Sequence, residues 1–104
     1  MSDLLMLEGK IVNMIKSVYD PEIPVNIYDL GLIYEVEVDD DKNVTITMTL
    51  TAPNCPAADL ILADVRYKVE SIKEINSVIV NLTFEPQWTK DMLSEEAKLE
   101  LGFL

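Results

Sequence analysis

The chain has 104 residues, 49% of them apolar and 26% charged, enough to bury roughly 65% of its unfolded surface in one domain without disulfides. Its net charge of −11 excludes nucleic acid or anionic membrane as a target of bulk electrostatic attraction. A single cysteine, Cys55, excludes an internal disulfide framework, and histidine is absent.

Residues 3–18 place Leu4, Leu7, Ile11, Met14, Ile15 and Val18 at the spacing of an amphipathic helix. Ser2 or Asp3 can cap its start, and Gly9 weakens it. Pro21 and Pro24 then make a continuing helix improbable, so the acidic stretch around Asp20, Pro21 and Glu22 reads as a structured loop. Asp29, Leu30 and Gly31 read as turn chemistry ahead of the first strand.

Residues 32–38 alternate, with Leu32, Tyr34, Val36 and Val38 on one face and Ile33, Glu35 and Glu37 on the other. A polar connection, DDDKN, leads to a second alternating run over residues 44–50. There Val44, Ile46, Met48 and Leu50 oppose Thr45, Thr47 and Thr49. The two strands are expected to pair antiparallel.

Residues 57–72 carry Ile61, Val65, Val69 and Ile72 on one helical face, with Pro56 suited to the first helical position. A third strand over residues 78–84 turns Val78, Val80, Leu82 and Phe84 inward. EPQWTKDM reads as irregular, with Trp88 a packing anchor. Ser94 then caps a short helix that stops at Gly102.

The expected fold is α+β in two layers. The order is helix, strand, strand, helix, strand, short helix, with a three-stranded mixed sheet whose helices lie on one face. The helix between the second and third strands is long enough for a crossover, which makes those strands parallel and the crossover right-handed. The other sheet face, with Thr45, Thr47, Thr49, Asn81 and Thr83, is solvated or an interface.

Chemistry centres on Cys55, in the stretch TAPNCPAADL between the second strand and the long helix. A thiolate is favoured at a helix N-terminus, where unpaired N–H groups and the helix dipole lower its pKa. At a pKa near 8.5 only about 3% of the thiol is ionised at pH 7. A buried small hydrophobe is the other reading of this residue. Thr51 and Asn54 can hydrogen-bond within the turn, and Asn54 tolerates positive φ. Asp20 and Glu22 are either paired carboxylates for metal or proton chemistry or part of a proline turn.

Without histidine there is no Cys-His or Ser-His-Asp nucleophile machinery. One cysteine cannot close a zinc site, and it supplies a quarter of the four thiolates that an iron–sulfur cluster normally takes. No Gly-rich phosphate loop is present. These absences favour a transient thiolate ligand or a binding module over a self-sufficient enzyme.

Three separated stretches, DPEIPVNIYDLGLIYEVEV, VTITMTLTAPNCP and EPQWTKDMLSEEAKLELG, resemble the SufT/PaaD-like family of iron–sulfur protein maturation. The resemblance runs from about Leu4 to Gly102, and its specificity comes from three motifs in order. It implies an auxiliary factor that helps assemble or deliver clusters, not an enzyme. It places the family's cysteine on Cys55 and its threonine on Thr51. The acidic-proline loop falls on Asp20, Pro21 and Glu22, the structural turn on Asp29, Leu30 and Gly31, and the tryptophan on Trp88. Asn54 stands where many relatives carry glycine. Relatives of the phenylacetate pathway carry a cysteine-rich extension and others a fused P-loop ATPase; neither is present, and the stand-alone SufT type fits best.

The expectation is thus a cytoplasmic maturation factor without a signal peptide or membrane span. Cys55 is its candidate transient iron or cluster ligand, and a cluster would be bridged or held briefly. Partners would be iron–sulfur assembly proteins or apo-targets, with a homodimer left open. The alternatives are a thiol-dependent redox protein and a pure interaction module working through the threonine-rich sheet face.

Overall fold

The computed structural model describes residues 2–20, 23–51 and 58–102. The chain runs α1 (Ser2–Ile15), β1 (Ile33–Val38), β2 (Asn43–Met48), α2 (Ala58–Glu70), β3 (Ser77–Leu82), a 3-10 turn (Lys90–Met92) and α3 (Glu95–Glu100). β1 pairs antiparallel with β2, and β2 pairs parallel with β3, in the sheet order β1-β2-β3. The element order, the mixed sheet and the crossover through α2 agree with the sequence reading.

The core follows from the two periodicities. Leu7, Ile11 and Ile15 of α1 and Ile61, Val65 and Val69 of α2 meet Val44, Ile46 and Met48 of β2, all of them buried. Each such side chain contributes about 1.5–3 kcal/mol on burial, which fixes the helices over the sheet. The end of α1 tightens into i→i+3 bonds, Ser17 N to Met14 O at 3.1 Å and Val18 N to Ile15 O at 2.9 Å. The helix therefore stops at Ile15 although the apolar spacing continues to the buried Val18. Lys68 Nζ of α2 donates to Ser17 O at 3.0 Å and ties the two helices at that end.

The alternation expected over residues 32–38 is broken by a bulge. Ile33 pairs with Met48 and Glu35 with Thr47, so Tyr34 is an extra residue against one step of β2. Ile33 therefore joins Val36 and Val38 on the core side, not Glu35 and Glu37 as strict alternation requires. A period of two cannot survive an inserted residue.

Two further expectations need correcting. Thr49, expected on the polar face, is completely buried, whereas Thr45 and Thr47 are half-buried. Its N–H bonds to Leu32 O at 2.8 Å, which extends the strand pairing past β2 into the core. Leu82, expected inward, is 40% exposed, because it ends an edge strand that has a neighbour on one side only. The stretch read as irregular contains the 3-10 turn. Ser94 caps α3 by accepting from Ala97 N at 3.1 Å, and Gly102 follows with φ 79°.

Candidate functional site

β2 ends at Met48, and Thr49 and Leu50 remain buried before the half-buried Thr51. α2 resumes at Ala58 with Asp59 in its first turn. Cys55 and Asn54 fall between, in residues 52–57, and lie outside the described residues, as do Pro21 and Glu22.

Asp20 is 6% exposed, the single buried acidic residue among the described ones. It follows Tyr19, whose backbone forms an isolated antiparallel bridge with Asn26. Ile27 N donates to Val18 O at 2.9 Å and closes the same loop. A hydrogen-bonded neck therefore carries Asp20 at one end of the proline loop.

The Asn26–Asp29 turn is closed twice. Asp29 N donates to Asn26 Oδ1 at 2.9 Å, and Asn26 Nδ2 donates to Asp29 Oδ2 at 2.8 Å. This is the Asx chemistry that lets a short side chain mimic backbone. Leu30, fully buried, follows, and its carbonyl accepts from Trp88 Nε1 at 2.6 Å. Gly31 has φ 83°, and a Cβ there would lie 2.3 Å from the Met92 carbonyl oxygen. Ser94 N donates to Asp29 O at 2.8 Å. The Asp29-Leu30-Gly31 turn and Trp88, 58 residues apart, are thus one unit that docks the C-terminal segment beside the start of β1.

Two residues in this region escape sequence reasoning. Tyr34, freed by the bulge, donates its hydroxyl to Pro86 O at 2.7 Å and reaches Met92 Sδ at 3.6 Å. No sequence signal marks the bulge. Thr49 Oγ1 is buried with no hydrogen-bond partner. Asn26 is a further residue that the sequence reading does not single out, although its N-x-x-D spacing to Asp29 carries a signal for the turn.

Among the described residues, no cluster of three or more cysteine or carboxylate side chains is placed to hold a metal ion. No helix among them is long and apolar enough to cross a membrane.

Against known proteins, residues 8–82 match the family model described as iron–sulfur cluster assembly protein. The chain belongs to that family. It is 66% identical over 103 residues to a Porphyromonas gingivalis protein named Fe-S protein maturation auxiliary factor, covering 99% of this chain and 98% of that one. It is 45% identical over 85 residues to the Staphylococcus aureus Fe-S protein maturation auxiliary factor SufT, covering 82% of this chain and 97% of that one. The crystal structure of a domain of unknown function from Bacillus anthracis superposes with a TM-score of 0.89 at 38% identity, over 95% of this chain and 94% of that one. The SufT-like resemblance of the three motifs and the family match agree.

Proposed function

We propose that this protein is an auxiliary factor in iron–sulfur protein maturation, acting on a cluster as cargo rather than turning over a substrate. The carrying observation is the family match over residues 8–82, a span that contains Cys55, together with 66% identity to a named maturation factor over nearly the whole chain.

In this reading Cys55 is the thiolate that contacts iron or a partner's cluster. Thr51 hands the strand into its loop, and Asn54 shapes the turn. Asp20 and Glu22, around Pro21, are the residues to which this reading gives the task of orienting or tuning the contact. Cys55 stands three positions before the first residue of α2, Ala58. A metal ion deprotonates a thiol that binds it, so this reading does not depend on a depressed thiol pKa. A soft ligand of this kind needs no general base, which accords with a chain without histidine. One thiolate per chain leaves a cluster short of ligands, so the rest come from an assembly protein, an apo-target or a second copy.

The test is Cys55→Ser in cells whose cluster-dependent enzymes are under high demand. Activity of those enzymes should fall while their protein levels hold. Undiminished activity would remove the thiol role. Anaerobic reconstitution with iron and sulfide, followed by absorbance and native mass, tests cluster binding directly. A bridged cluster gives one cluster per two chains and none for Cys55→Ser.

A further inference from the structure

A groove of about 580 Å³ opens between the Tyr19–Asn26 loop and α3. Its floor includes Pro24 and the Asn26–Asp29 turn, and Leu99 and Tyr19 flank it at 65% and 58% exposure. Its charged lining includes the carboxylates Asp29, Glu96 and Glu100, with no basic side chain among the described lining residues. The wall is rigid where it matters: the Tyr19–Asn26 bridge, the double Asn26–Asp29 bond and the Ser94–Asp29 bond hold both sides. A preformed, mainly polar, acid-rimmed groove with Tyr19 and Leu99 on its flanks, beside the loop that carries Asp20, is suited to recognition.

We propose that this groove seats a basic segment of a partner protein. An apolar side chain of the segment lodges against Tyr19 and Leu99, and its Lys or Arg side chains meet Asp29, Glu96 and Glu100. Charge decides the occupant. A second copy would bring another chain of net charge −11 against an acidic rim, whereas a basic segment finds complementary potential. The inference extends the maturation reading by giving it a partner surface.

The test uses the full chain and a fluorescein-labelled synthetic peptide with Leu-Phe flanked by two lysines on each side, read by anisotropy. Controls replace its lysines by glutamate or its Leu-Phe by serines. Binding should weaken about two- to thirtyfold in Glu96→Gln/Glu100→Gln, since each exposed pair is worth about 0.2–1 kcal/mol. It should weaken about tenfold in Leu99→Ser, fall with added salt, and stay unchanged in Glu35→Gln/Glu37→Gln, which removes the same charge from the sheet face. Equal weakening by both double variants means diffuse attraction to an acidic protein and overturns the proposal. So does equal binding of the glutamate peptide, or a dimer by sedimentation that Leu99→Ser dissolves. The assay contains no iron and makes no use of Cys55, so its failure leaves the cluster assay standing.

Discussion

Trp88 Nε1 donates a 2.6 Å hydrogen bond to the carbonyl of Leu30, a fully buried residue. The bond joins the C-terminal segment to the turn that opens the sheet. Trp88→Phe keeps the ring but leaves that carbonyl without its donor, at a cost of about 1–3 kcal/mol. Urea unfolding should show a lower midpoint with an unchanged slope. An unchanged midpoint would mean that the bond contributes nothing net.

Gly31 and Gly9 make opposite predictions from the same substitution. At Gly31, φ 83° and a Met92 oxygen 2.3 Å from any Cβ force backbone movement, so Gly31→Ala should cost more than about 2 kcal/mol. At Gly9, within α1, an added Cβ meets nothing within 4 Å, so Gly9→Ala should stabilise by up to about 1 kcal/mol. Thermal melts of the two variants should move in opposite directions; a common direction refutes the geometry at one of them.

How much of this was legible follows from which rules are local. Helix faces, the alternation of β2 from Val44 to Met48 and the Ser94 cap depend on residues a few positions apart, and they read correctly. The bulge at Tyr34 did not, because Ile33, Tyr34 and Glu35 alternate as cleanly as any unbulged strand, and only pairing with Met48 and Thr47 exposes the extra residue. The burial of Thr49 was hidden for the same reason: polarity suggested the open face, and only bonding to Leu32 draws it in. At the candidate site, Cys55 was singled out by its solitude and its proline frame. The union of Asp29-Leu30-Gly31 with Trp88 needed contacts across 58 residues, which no local pattern carries.

Thr49 gives a prediction in the stabilising direction. Its Oγ1 is buried and unpaired, and such a hydroxyl costs about 1–3 kcal/mol in the folded state. Thr49→Val keeps the β-branched shape and removes the unpaired group, so stability should rise by about 1 kcal/mol in denaturant titration. A loss of stability would show that the hydroxyl is paired in solution. Because Thr49 precedes Thr51 by two residues, the variant should also be carried through the cluster-dependent enzyme assay. Normal activity there would confine Thr49 to a structural role.

The hairpin supplies two carboxylates that respond to pH with opposite sign. Asp39 Oδ1 accepts from Asn43 N and from Asp41 N at 2.9 Å each. The Asn43 backbone bond is the main cause that holds its pKa below the ordinary 3.8. A lowered folded pKa gives stability that is present above the unfolded value and lost as pH falls through the folded one. Asp39→Ala should therefore melt lower than the parent at pH 7, with the gap closing below pH 3.8. Glu37 is raised above 4.5, chiefly by a hydrogen bond with Glu35 and then by that residue's charge. A raised folded pKa gives stability that is present below the unfolded value and lost as pH rises through the folded one. Glu37→Gln should thus melt higher than the parent at pH 7, and the advantage should vanish below pH 4.5. Melting curves at several pH values in low salt check both; two gaps of the same sign at pH 7 would contradict the hairpin's electrostatics.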